Sequence, residues 1–228
     1  MIIPALNEEL SIARVLRAIP RWVDKIIVAD NGSHDRTAEI AQNNGAHVVL
    51  APKRGYGSAC LAGIATLDRN VDVVVFLDGD YSDYPEEMDL LVVPIVQDEA
   101  DVVLGARVSA LRKPGALTPQ QYFGNLLACW LISLFWNVSF KDLGPFRAIR
   151  FSSLQSLNMS DQNYGWTVEM QIKAIQKSLR IKEIPVKYRA RIGQSKVSGT
   201  VRGVLGAGTK IIYNIFKLFV KEKLERRR

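Results

Sequence analysis

The sequence predicts an α/β fold, a mostly parallel Rossmann-like sheet with helices on both faces. Two observations carry that expectation. Val73-Val74-Val75-Phe76-Leu77 is an unbroken apolar run, mostly β-branched, as a strand buried on both faces requires. Short apolar runs alternate with helical periods along the chain, the order that a parallel sheet with crossover helices produces. At 228 residues and 48% hydrophobic content, the chain suits one such domain with a sizeable core and is not a disordered polymer.

Residues 1–4 read as the end of a first strand, short enough that a residue or two before it is expected. Leu10, Ala13, Leu16 and Ile19, with Ile12 and Val15 beside them, make a helical face that Pro20 closes. Residues 25–29 form a second strand, and Asp30-Asn31-Gly32-Ser33 is a turn cluster. A short helix starts near Thr37 and stops at Gly45, a C-cap. Residues 47–50 are a third strand, and the loop 53–58 leads into a helix of small residues. Beyond the central strand, Pro85 opens a helix, 101–105 is a strand, and Arg107 stands just past its end. Thr118-Pro119 fits the cap and first position of a long apolar helix through Trp136, whose large side chains are read as core packing. Residues 141–147 read as a loop, 166–175 as a helix containing Glu169, 181–186 as a strand and 188–200 as a basic loop with Gly and Ser.

The last helix, 204–227, sets Ile211, Ile212, Ile215, Phe216, Leu218 and Phe219 against Lys210, Lys217, Lys221 and Lys223. The expected organisation is a catalytic domain over 1–200 and a basic amphipathic helix over 201–228. That helix suits an anionic membrane surface, or packing on the domain or a partner. The net charge of +7 is concentrated from Lys182 onward, while residues 78–101 are acidic. By charge alone the basic end would suit nucleic acid or membrane. Cys60 and Cys129 lack metal-ligand spacing and imply a reducing compartment, and His34 and His47 are too isolated for a metal site. No secretory leader is expected after Met1-Ile2-Ile3-Pro4, and the apolar stretches 126–136 and 204–220 are too short or too charged to span a bilayer.

The chemistry concentrates in Asp78-Gly79-Asp80, at the carboxyl end of the central strand, where ligands of open α/β sheets sit. The two carboxylates project to one side, and Gly79 leaves room for a ligand. Two such anions repel unless a cation lies between them, and a divalent metal carrying a diphosphate is the economical one. The same residues also fit an ordinary polar turn.

Pro4-Ala5-Leu6-Asn7-Glu8-Glu9, the stretch from Asp30 to Thr37, Arg54-Gly55-Tyr56-Gly57, Asp78-Gly79-Asp80, Gly105-Ala106-Arg107 and Gly193-Gln194-Ser195-Lys196 occur in register with the strand ends. In that order they resemble family 2 glycosyltransferases, most closely the branch containing dolichyl-phosphate mannose synthase and bacterial polyprenyl-phosphate sugar transferases. The resemblance covers nearly the whole chain. It implies a GT-A nucleotide-sugar fold and inverting transfer from a UDP- or GDP-linked sugar, with Mg²⁺ or Mn²⁺ as cofactor. It assigns Pro4, Ala5, Leu6, Glu8 and Gly55 to the donor pocket and Ala29, Asp30 and Asn31 to the base. It assigns Asp78, Gly79 and Asp80 to the metal diphosphate, Asp80 ahead of Asp78 as direct ligand, with Ser82 where mannose synthases carry a Gln. Arg107, Arg147, Arg191 and Lys196 match positions that grip the donor diphosphate and an acceptor phosphate, Arg189 being a rival to Arg191.

Acceptor chemistry separates the alternatives. A phosphomonoester, with its second pKa at about 6, attacks without a base. A hydroxyl needs a carboxylate to take its proton. Hydroxyl-acceptor members of the family carry that base in a Glu-Asp type motif, which has no clear match after Asp101. Asp142 and Glu169 remain as candidate bases or as groups that orient Arg147 or a water. The resulting expectation is transfer to a polyprenyl or dolichyl phosphate, by a cytoplasmic protein peripheral to the cell-envelope membrane. A family 2 enzyme making a glycolipid or polysaccharide is the runner-up. A dinucleotide oxidoreductase is disfavoured because Pro4-Ala5-Leu6-Asn7-Glu8 stands where a glycine-rich fingerprint belongs. A nucleic-acid module leaves Asp78 and Asp80 without a purpose.

Overall fold

The computed structural model describes residues 1–193 and 201–225. Seven strands form one sheet: β1 (Ile2–Ala5), β2 (Ile27–Asp30), β3 (His47–Leu50), β4 (Val73–Phe76), β5 (Val102–Ala106), β6 (Arg147–Arg150) and β7 (Ile181–Pro185). Their order across the sheet is β3-β2-β1-β4-β6-β5-β7. β6 runs antiparallel to both neighbours, and every other pairing is parallel. Because β6 is antiparallel to both β4 and β5, β5 and β7 point the same way as β1, β2, β3 and β4. Six strands therefore deliver their carboxyl ends, and β6 its first residue Arg147, to one edge of the sheet.

The helices are α1 (Ile12–Ala18), α2 (Thr37–Asn43), α3 (Tyr56–Ile64), α4 (Met88–Val96), α5 (Pro119–Trp136), α6 (Phe151–Leu157), α7 (Trp166–Gln176) and α8 (Val201–Glu225). Ile3, Val28, Val75 and Val103 face the side covered by α1, α2 and α4. Ile2, Ile27, Val74, Phe76 and Val102 face the side covered by α3, α5, α6, α7 and α8. Both faces are buried, which is why these strands read as continuous apolar runs. α3 lies so close to β1 that a Cβ on Gly63 would come within 2.7 Å of Ile2, so its covered side is built from Gly57, Ser58, Ala59, Cys60 and Gly63. The start of α5 is a capping box between Thr118 and Gln121 with Pro119 at its first turn.

Two features depart from the sequence reading. β6 and α6 follow directly on the loop ending at Phe146, where no regular elements were expected. α5 buries only Ala128, Cys129, Leu131 and Ile132, while Phe123, Leu126, Trp130 and Leu134 are 55–65% exposed. Those four side chains are thus a surface stripe instead of core, whereas Leu131, Ile132, Phe135 and Trp136 pack inward as expected. α8 packs on α5 and α7: Ile215 is fully buried, and the Trp136 indole donates to Glu222 at 2.6 Å.

Ahead of β5 and β7, Arg180 clamps Asp101 through its backbone N at 2.9 Å and its guanidinium at 2.9 Å, and that hydrogen bonding lowers the Asp101 carboxyl to about 2. A lowered folded pKa means stability that is full above the unfolded value, about 3.9, and lost as pH falls toward 2. Asp101→Asn should lower the melting temperature at pH 7 by about 2–4 °C. In melting curves recorded between pH 4 and pH 2, it should also flatten the acid-side decline.

Candidate active site

At the sheet edge a cavity of about 560 Å³ opens between the ends of β1, β2 and β4 and the start of α3. Pro4, Ala5, Leu6, Glu8, Asn31, Gly55, Asp78, Gly79, Asp80 and Arg191, all expected at the donor site, line it together. Arg54, Tyr56, Ala59, Asn163 and Tyr164 line it as well. Arg54 and Tyr56 were within reach of sequence reading, as neighbours of Gly55. Asn163 and Tyr164 were not, because they arrive on a distant loop with no local pattern.

The acids at the centre have unequal surroundings. Asp80 Oδ1 accepts from the Ser82 amide at 2.9 Å and its hydroxyl at 2.6 Å, so Ser82 positions Asp80. Arg191 reaches across the mouth, 2.6 Å from Glu8 Oε1 and 3.3 Å from Asp80 Oδ2, tying the end of β1 to the end of β4. Its rival Arg189 instead stacks over Tyr81 at 3.3 Å and Tyr84 at 4.0 Å and donates to the Tyr81 and Asp83 carbonyls. Asp78 lines the cavity beside Tyr56, and its Oδ1 is buried without a partner. Burial, and then the charge of Asp80, push Asp78 up to about 7. Asp83 is 1% exposed and neither of its carboxylate oxygens has a partner, and burial raises it well above the usual range. Its signal was its place three residues after Asp80.

Unpaired buried carboxylate oxygens are what a cation would satisfy. Among the described residues no three acidic, His or Cys side chains converge into a closed cage. The residues present therefore fit a divalent ion held by Asp78 and Asp80 whose remaining ligands come from a diphosphate and water.

Other expected site residues lie outside the cavity. Arg107 is committed to Asp142 in a two-pronged pair, Nε to Oδ2 at 2.6 Å and Nη2 to Oδ1 at 2.7 Å, with its backbone N adding a third bond at 3.0 Å. Burial would raise Asp142, but Arg107 overrides it and leaves the carboxyl below the usual range. Arg107 also lies over the Tyr188 ring at 5.0 Å. Arg147 is 1% exposed and donates to the carbonyls of Leu143, Gly144 and Thr167, so it staples the loop before β6 instead of facing a ligand. Glu169 is spent on Ser160, the Asp161 amide and Lys173, which leaves it anchoring a loop and not acting as a base. Ala29 and Asp30 are buried at the end of β2, Asp30 held by Ser33. Asn31 alone of that trio reaches the cavity, with its side chain bound to Lys53 O and Gly55 N. Lys196 lies outside the described residues.

Paired acids, a bridging guanidinium and a cavity at the carboxyl ends of parallel strands fit the GT-A fold expected from the sequence. Glucosyl-3-phosphoglycerate synthase from Mycobacterium tuberculosis, solved with Mn²⁺, UDP-glucose and phosphoglyceric acid, has the same fold, with a TM-score of 0.77 at 23% identity over 96% of this chain and 78% of that one. The chain belongs to glycosyl transferase family 2, whose profile matches residues 1–157, and it is a glycosyltransferase. It is 32% identical over 223 residues to the dolichyl-phosphate hexose transferase of Haloferax volcanii, covering 96% of this chain and 92% of that protein. It is 30% identical over 222 residues to the undecaprenyl-phosphate mannosyltransferase of Micrococcus luteus, covering 89% and 88%.

Gly144 sits where a Cβ would come within 2.8 Å of Asp142 Oδ2, 3.0 Å of Gly105 O and 3.2 Å of Arg107 Nε. Gly144→Ala should therefore force the Arg107–Asp142 pair apart and destabilise the protein by about 1–3 kcal/mol in denaturant titration. Sugar transfer should fall with it, by at least tenfold.

Proposed function

We propose that this glycosyltransferase moves a hexose from a UDP- or GDP-linked donor to a polyprenyl or dolichyl phosphate, with inversion, while resting on a membrane surface. The observation that carries the reading is the pairing of Asp142 with Arg107, which removes the best-placed candidate base and leaves a fixed guanidinium beside the acids. A phosphate acceptor needs that combination, whereas a hydroxyl acceptor needs the opposite.

In this reading the donor lies in the cavity with its diphosphate toward Asp78, Gly79 and Asp80. Pro4, Ala5, Leu6 and Asn31 contact the nucleoside. Mg²⁺ or Mn²⁺, when bound by Asp78 and Asp80, supplies positive charge to the departing diphosphate. Arg191, now shared between Glu8 and Asp80, adds a second positive group there, and Lys196 is a further candidate. Arg107 orients the acceptor phosphate. One phosphate oxygen attacks the anomeric carbon from the face opposite the leaving group, the bond to the diphosphate breaks, and its electron pair leaves with the nucleotide. No proton has to be removed, because a phosphomonoester with a second pKa of about 6 is already largely dianionic at neutral pH.

The surface supports a lipid acceptor. The α5 stripe of Phe123, Leu126, Trp130 and Leu134 is exposed, and α8 exposes Tyr213, Phe216, Val220 and Leu224 beside Lys217 and Lys221. Apolar side chains flanked by lysines suit the interface of an anionic bilayer. Among the described residues no helix is long and apolar enough to cross a membrane, so the proposed attachment is peripheral. The two relatives named for dolichyl- and undecaprenyl-phosphate transfer favour the same acceptor class. The proposed site of action is the cytoplasmic face of the cell envelope.

The test is transfer from UDP- and GDP-sugars, with Mn²⁺ or Mg²⁺, to polyprenyl phosphate in anionic vesicles and to saccharides. Arg107→Ala should lower kcat/KM for polyprenyl phosphate on the order of a hundredfold and leave nucleotide affinity unchanged. Transfer to saccharides alone, insensitive to Arg107→Ala, would replace this reading with the hydroxyl-acceptor one.

A further inference from the structure

Among the described residues, the inner face of α8 carries one buried polar side chain, beside Ile211, Ile215 and Leu218. Asn214 is 5% exposed and donates through Nδ2 to Asp161 Oδ2 at 2.7 Å. A leucine there would extend the apolar contact, so the asparagine is repaid only by that hydrogen bond. The approach is close enough that a Cβ on Gly165 would come within 1.6 Å of Asn214 Nδ2.

Asp161 in turn shapes a loop. Its Oδ1 accepts from the amides of Asn163 at 2.7 Å and Gly165 at 3.1 Å, and Lys210 of α8 lies 3.6 Å from its Oδ2. The next two carbonyls cap α3: Ser58 N donates to Gln162 O at 2.9 Å and Gly57 N to Asn163 O at 3.2 Å. That contact exists because α3 begins with glycines. A Cβ on Gly55 would lie 2.1 Å from Gln162 O, and one on Gly57 would lie 2.0 Å from Asp161 O. Asn163 and Tyr164 form one wall of the cavity, which Tyr56, the first residue of α3, lines together with Asp78. A run of hydrogen bonds and close contacts thus leads from α8 to the wall of the cavity that holds the central acid.

We infer that Asn214 is a positioning residue for the sugar-nucleotide site, holding Asp161 so that α8 sets the cavity wall formed by Asn163 and Tyr164. The helix is then a working part of the donor site as well as a surface element. The nucleotide arm of its test rests on the donor reading above, and the exchange arm does not.

The experiment measures amide hydrogen exchange at Gly57 and Ser58 in the nucleotide-free protein, and UDP and GDP dissociation constants with Mn²⁺. Asn214→Leu should speed exchange at both amides about tenfold, leave β1 and β5 amides unchanged, and weaken nucleotide binding by about the same factor. The exchanged pair Asn214→Asp with Asp161→Asn can rebuild the bond, the new amide donating to the new carboxylate while its oxygen still accepts from Asn163 and Gly165. It should return both readouts to within threefold of the starting protein. Unchanged exchange at Gly57 and Ser58 in Asn214→Leu overturns the inference. So does a folded exchanged pair without recovery, or acceleration spread evenly over the sheet in both variants. A starting protein that binds neither UDP nor GDP refutes the donor reading and leaves the exchange result to decide this one.

Discussion

Negative charge crowded onto one edge of a buried sheet is the constraint that the rest of the structure answers. Asp78, Asp80 and Asp83 follow β4 within seven residues, and Glu8 and Asp142 arrive from the ends of other segments. Like charges at about 4 Å in a partly screened site repel by about 4 kcal/mol, a large fraction of a domain's net stability. The fold answers with fixed donors where it can. Arg107 is committed to Asp142, Arg191 to Glu8 and Asp80, and Ser82 to Asp80. Asp78 Oδ1 and both oxygens of Asp83 are left over. Of these, Asp78 lines the cavity, where a ligand's positive charge would meet its unpaired oxygen, so part of the cost of folding the edge is offset by such a ligand.

How much of this could be read from the chain depends on the distance over which each signal acts. β1 to β5 are written as mostly apolar runs, and the cap at Thr118-Pro119 fell where local chemistry put it. β6 is Arg147-Ala148-Ile149-Arg150, with only two apolar residues between two cations, and no period-two pattern survives that. It is a strand because its neighbours supply both ladders and because Arg147 finds two loop carbonyls and one of α7. On α5, periodicity told which residues share a face but not which face is covered. The packing of neighbouring elements decided it: Ala128, Cys129, Leu131 and Ile132 line the covered side, and Phe123, Leu126 and Trp130 remain outside.

The site divides along the same line. The residues clustered at strand ends, from Pro4 to Glu8 and from Asp78 to Asp80, were legible because a parallel sheet fixes where such ends meet. Partner choice among the charged residues was not. Asp142 pairs with Arg107, 35 residues away, and not with nearby Arg147. Glu169 turns toward Ser160 and Asp161. Family resemblance could mark these positions as charged and important to the edge, but only the packing of the loops decides which acid neutralises which base.

That pairing bears on mechanism. A buried ion pair is weak grounds for stability, since the two charges surrender hydration to meet. Its two-pronged geometry, however, fixes the plane of the Arg107 guanidinium, which a lysine could not reproduce. Asp142, held below the normal carboxylate range, is a poor proton acceptor at neutral pH, so an acceptor that must lose a proton on attack finds little help from it. An acceptor that arrives already anionic finds a preset cation whose orientation has been settled during folding. The same pair of residues therefore underlies the proposed preference for an anionic acceptor, through a two-pronged contact whose geometry depends on the absence of a side chain at Gly144.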